Sequence, residues 1–96
     1  MITLTSVPRQ RRGFRLEQMD DESLLYHDKL LKTVYLNDSA TVIWTLCDGA
    51  RSVADIASLI NQAYEGTQHD VSDDVRAGVE KLIDEGVLAL QPVESQ

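Results

Sequence analysis

The spacing of apolar side chains changes once along these 96 residues, close to Asn37, and that change fixes the order of the structural elements. Before it, short stretches alternate or cluster as strands do. Phe14-Arg15-Leu16-Glu17 alternates apolar and polar residues, which predicts a half-buried strand. Asp20-Asp21-Glu22-Ser23 supplies a turn, and Leu24-Leu25-Tyr26 a second short strand. After the turn His27-Asp28-Lys29, residues 30–36 are rich in Leu, Val, Thr and Tyr and predict a third strand. Two tight turns between three short strands imply an antiparallel meander.

Beyond Asn37 the repeat becomes helical. Asn37, Asp38 and Ser39 offer capping side chains, and Ala40, Ile43, Trp44 and Cys47 recur on one face until Asp48-Gly49. Ser52-Val53-Ala54-Asp55 predicts the start of a second helix, with inner face Val53, Ile56, Ala57, Ile60 and Tyr64. Residues 65–70 read as a polar loop. Ser72 is expected to cap a third helix, with apolar face Val75, Val79, Leu82 and Ile83 and Gly86 closing it. Val87-Leu88-Ala89-Leu90 is expected to add a short final strand. Strands followed by helices make this an α+β fold with the helices on one face of the sheet. The order matches a winged-helix domain with its hairpin placed first, which leaves the third strand at an edge.

Length and charge exclude several functions. The chain has room for one core, so it is one domain. It divides into a flexible basic arm over residues 1–12, a folded unit over 13–90 and a frayed tail over 91–96. Cys47 is the single cysteine, so no internal disulfide or cysteine metal cluster is available, and nothing in the sequence ties His27 or His69 to it as a base. It reads as a core residue, and neither a catalytic set nor a cofactor is expected. Asp20-Asp21-Glu22 lacks the spacing and glycine of a calcium loop, and Asp73-Asp74 suits a helix start. No metal site is expected. The apolar runs are too short to span a membrane, and the first residues lack the pattern of a signal peptide, so a cytoplasmic location is expected. The net charge is −7, made of +1 over residues 1–32 and −8 over residues 33–96.

One stretch is similar to a known family. Leu36-Asn37-Asp38-Ser39-Ala40, Ile43-Trp44, Leu46-Cys47-Asp48-Gly49 and Arg51-Ser52-Val53-Ala54-Asp55-Ile56 resemble the PqqD pattern of L-N-x-x-A, an apolar helix, L-C-D-G, a basic residue and T-V-x-E-I. Arg12-Gly13, Leu24-Leu25-Tyr26, Asp74-Val75 and Glu85-Gly86-Val87 extend the likeness to about residues 8–90. Where the quinone-pathway members tend to carry Y-P-E-G, this chain has Tyr26-His27-Asp28-Lys29. The resemblance implies a wing-first winged helix that recognises the leader of a ribosomally made precursor peptide. The leader would add as a strand to the third strand, beside the third helix. The module itself would be non-catalytic and would present the precursor to a modifying enzyme, often a radical-SAM protein.

The residues independently suit that role. Leu31, Lys32, Thr33, Val34, Tyr35 and Leu36 form a β-prone stretch with no proline and one charge, as strand addition needs. With Val34 and Leu36 facing inward, Thr33 and Tyr35 point outward. On the third helix, Val75, Val79 and Ile83, with Arg76 alongside, are the candidate groove residues. Gly78 would permit close approach of a packing neighbour or a ligand. The competing reading is a winged-helix DNA-binding regulator. Charge opposes it: the second helix has no Lys or Arg, and the third sets Arg76 and Lys81 against five acids. An unguarded edge can also pair with its own copy, so a monomer or loose dimer is expected.

Overall fold

In the computed structural model, which describes residues 2–20, 22–63 and 71–91, each expected strand forms where the alternation is cleanest. β1 is Pro8–Gln10, β2 Phe14–Gln18, β3 Ser23–His27 and β4 Lys32–Leu36. The helices α1 Asp38–Leu46, α2 Val53–Ala63 and α3 Ser72–Asp84 follow, and β5 Leu88–Leu90 ends the order. β2, β3 and β4 make the antiparallel meander in that spatial order, so β4 is an edge. The register pairs Leu16 with Leu25 and Leu25 with Val34, which places one apolar row against the core.

β4 starts later than the composition suggests. Leu30 and Leu31 belong to the β3–β4 turn, and Leu31 closes it with φ 51°, a left-handed conformation that breaks strand geometry. The amide of Leu30 donates to Nδ1 of His27 at 3.1 Å, which tightens the same turn.

Of residues 1–12, expected as a flexible arm, those described, 2–12, are tied into the fold. Ile2 is buried in the core, and β1 pairs antiparallel with β5, matching Pro8 with Leu90 and Gln10 with Leu88. Pro8 is tolerated because it opens its strand. The carbonyls of Leu4 and Ser6 accept from the amides of Ala54 and Val53, both at 2.9 Å, satisfying donors that a helix start leaves without partners. In the expected tail, Gln91 donates its amide to the Val7 carbonyl, while residues 92–96 lie outside the described residues. So do Tyr64 and the expected loop over residues 65–70.

The helix caps follow the local chemistry. Asn37 Oδ1 accepts from the Ala40 amide at 2.8 Å. Ser52 and Asp55 each accept from the other's amide at 3.1 Å, a reciprocal capping box. Ser72, expected as the cap of α3, is its first helical residue, and Val71 occupies the cap position. At the other end of α3, the Gly86 amide donates to Ile83 and the Val87 amide to Leu82. That Schellman closure requires the left-handed φ of 83° that Gly86 adopts.

Cys47 is fully buried and donates from Sγ to the Ile43 carbonyl at 3.0 Å. Burial, with the Asp48 carboxylate adding to it, pushes its thiol up from 9.0 to about 12. Thiolate is the reactive form, so the native protein should resist iodoacetamide at pH 8 and react only once unfolded. The native state holds this proton more tightly than the unfolded chain. The contribution is therefore complete below pH 9.0 and is lost as pH rises toward about 12. Replacing Gly86 by Ala should cost roughly 1–2 kcal/mol in urea unfolding, because an L side chain resists this φ. Its Cβ would also lie 2.9 Å from Lys32 Nζ.

Candidate functional site

Among the described residues β4 has a partner on one side only, and its open side looks across a groove to α3. Val34 and Leu36 are buried, while Thr33 and Tyr35 face out, Tyr35 being 66% exposed. Tyr35 stands opposite Leu24, an outward-facing leucine that is only 9% exposed. The tyrosine thus shields the outer sheet face while standing at the groove.

The groove encloses about 320 Å³. Its sheet side is Val34, Tyr35 and Leu36, its floor includes Ala40 and Ile43 of α1, and its helix side is Asp74, Gly78, Lys81, Leu82 and Glu85. From Asp74 to Glu85 the helix rises about 16 Å, close to the span of a five-residue strand such as β4. Both walls therefore match a short extended peptide in length.

The α3 side of the groove differs from the set read off the sequence. Val79 is 0% exposed and faces the core. Val75 is also buried, and its exposed neighbourhood is a second cavity rather than this groove. Arg76 pairs with Asp73 at 3.7 Å, and Ile83 packs against the core; neither lines the groove. Leu31, 79% exposed, sits at the hairpin tip just before β4. Lys32 sends its ammonium across to Gly86, just past the C-terminus of α3, and does not line the groove.

The groove face was legible only through Gly78. Stepping four residues each way from it reaches Asp74 and Leu82, and Lys81 and Glu85 continue that face. A Cβ on Gly78 would lie 2.8 Å from Ile43 Cδ1, the terminal methyl of that side chain, so α3 packs closely on α1 at this glycine. Leu46-Cys47-Asp48-Gly49 stands outside the groove and holds the frame. Asp48 accepts from the amides of Ala50 and Arg51 at 2.9 and 3.1 Å and from Arg51 Nη1 at 2.9 Å. Those amides, the Ala50 bond foremost, keep its carboxyl below the usual range. The Gly49 amide donates to the Pro8 carbonyl at 3.0 Å.

Two further features bear on chemistry. Among the described residues, no three His, Cys, Asp or Glu side chains converge as a metal site would require. No described helix is long and apolar enough to cross a membrane.

Comparison with known proteins agrees with this geometry. The PqqA binding protein of Stutzerimonas stutzeri is 36% identical over 87 residues, covering 84% of this chain and 91% of that protein. The solution structure of the PqqD portion of Methylobacterium extorquens PqqCD is described as a functional, stand-alone recognition element for ribosomally synthesised, post-translationally modified peptides. It superimposes with a TM-score of 0.74 at 26% identity, covering 93% of this chain and 95% of that one. A lasso peptide synthetase B1 complexed with its leader peptide matches with a TM-score of 0.69 at 26% identity, covering 86% and 98%. The family model for coenzyme PQQ synthesis protein D matches residues 21–88, and the chain belongs to the PqqD family.

Proposed function

We propose that the chain is a non-catalytic adaptor that binds the leader of a ribosomally synthesised precursor peptide by strand addition to β4. It then presents that precursor to a modifying enzyme, a radical-SAM protein in the quinone pathway or a relative of it. The observation that carries this reading is the β4 edge, unpaired on its outer side among the described residues and backed by a groove whose sheet side and floor are largely apolar and whose α3 side carries charges. Backbone groups along β4 supply hydrogen bonds to an added strand, and the groove receives its alternate side chains. The other sheet edge, β2, presents Arg15, Glu17 and Gln18 to solvent and makes a poorer platform.

The relatives are consistent with that role, one being named for binding PqqA and another structure holding a leader peptide. Reading DNA would need cations on a recognition helix, and α2 has none from Val53 to Ala63. The one cysteine is buried with a raised pKa, which disfavours thiolate chemistry. The residues assigned to the peptide are Lys32 to Leu36 on one side and Gly78, Lys81, Leu82 and Glu85 on the other, with Leu31 at the open end. Val75, Arg76, Val79 and Ile83 then support α3 from its other faces.

The test is an amide chemical-shift titration with synthetic PqqA of Stutzerimonas stutzeri. Shifts should gather on Lys32–Leu36 and on the Gly78 face of α3, with a Kd near micromolar, about −8 kcal/mol. An interface of this length falls at the small, transient end, below roughly 1,200 Å². Shifts confined to β1 or α2, with β4 silent, would refute the assignment. Proline supplies a second check because it removes an amide donor. Of Thr33→Pro and Val34→Pro, the variant whose lost amide faces the groove should stay folded by circular dichroism and lose roughly 1–3 kcal/mol of binding. The other should disrupt the β3–β4 ladder. Gly78→Leu should weaken PqqA binding at least tenfold, since its side chain would enter the space between Ile43 and β4.

A further inference from the structure

The groove continues past the end of β4. A second cavity of about 290 Å³ lies where Val42 of α1 and Ile60 and Asn61 of α2 meet Val71 and Val75 at the start of α3. Ser39, Ile43 and Asp74 line both spaces, so the two share a wall. Val42, Ile60 and Val71 are only partly buried, which leaves branched aliphatic surface facing the cavity. Among the described residues Asp74 is the one charged residue in the lining. The volume lies near the lower limit for ligand pockets, about 300 Å³, and suits a side chain far better than a folded partner.

Chain direction says what reaches it. β4 ends at Leu36, and Asn37 turns the backbone into α1, whose first turn carries Ser39. A strand lying on the β4 edge and running past Leu36 therefore meets Ser39 and Asp74 and then the cavity mouth. We propose that this cavity is an anchor subsite for one aliphatic or aromatic side chain of the leader, located beyond the residues that pair with β4. The proposal rests on the strand-addition reading. It also solves a problem that strand addition creates. Backbone hydrogen bonds repeat every two residues, so a peptide slipped by two keeps its ladder and its facing. A side chain seated in a cavity at one end removes that degeneracy, because the slipped peptide loses its anchor. Aspartate and glutamate are poor anchors here, since Asp74 and the aliphatic walls both oppose a buried carboxylate.

The subsite is tested without a leader first. Methyl-labelled protein is titrated with N-acetyl-leucinamide, for which a fragment of this size implies a Kd on the order of 1 mM or weaker. Shifts are expected on the methyls of Val42, Ile60, Val71 and Val75, with Val34 and Leu36 unmoved and N-acetyl-aspartamide inert. Synthetic Stutzerimonas stutzeri PqqA is then compared on wild type, Val42→Trp and Asn61→Trp, two substitutions that fill the cavity from different helices. In whichever variant keeps the wild-type amide spectrum, binding should weaken at least tenfold while the shifts along β4 persist. Unmoved cavity methyls with the fragment, or unchanged PqqA affinity in a folded cavity-filled variant, would overturn the subsite and leave strand addition standing. PqqA that fails to shift β4 counts instead against the strand-addition reading, and the fragment result then decides the cavity alone.

Discussion

The carbonyl oxygen of Val87 joins three parts of the chain that are distant in sequence. It accepts the Trp44 indole N–H at 3.2 Å and the Arg11 amide at 3.1 Å, and the residue itself is fully buried. One acceptor with two lone pairs thereby fixes α1, the strand that begins the chain, and the turn after α3. Gly86 is what brings that carbonyl into place, because the Schellman closure redirects the backbone from helix to β5. Gln10 adds a bond from its side chain to the Trp44 carbonyl at 3.0 Å, so the same tryptophan residue is held at both ends of its polar reach. The groove's breadth depends on this junction, since α1 and α3 form its floor and far wall.

Holding the helices from below leaves β4 free on its outer side among the described residues. The N-terminal segment pairs with β5 and not with the meander, so the chain's own spare strand does not cover the edge. Stability and openness are thus supplied by different sheets. The meander buries Leu25, Val34 and Leu36 on one face, whereas the β1–β5 pair buries Pro8 and Leu88. Such a division suits a binding module, where an edge must stay vacant without weakening the fold that carries it.

Much of this was legible in the residues. The three-strand meander, the caps at Asn37 and Ser52, and the Gly86 stop all follow from local chemistry, and the structure places each where the pattern puts it. β1 was not legible, because three residues opening with proline have no periodicity and their partners lie about eighty positions away. Leu31 misled for a different reason: its side chain favours a strand, but the turn imposes a left-handed backbone. On α3 the apolar stripe identified the core face correctly. It could not identify the groove face, where the decisive residue is a glycine and its neighbours are charged.

That last point separates what a family motif encodes from what a ligand reads. Trp44, Cys47, Asp48, Ser52, Asp55 and Gly86 all satisfy backbone groups, cap helices or fill the core. The likeness to the PqqD pattern rests mainly on such residues, so it specifies the frame more tightly than it specifies the peptide. Tyr35 and Lys81 stand in the groove and outside the quoted motif. Exchanging them would change charge and shape in the groove while removing none of the hydrogen bonds that hold the frame. Lys32 is intermediate, heading the open strand while its ammonium reaches the turn at Gly86. A scaffold built this way can keep one fold and take different leaders, because selectivity and stability reside in different side chains.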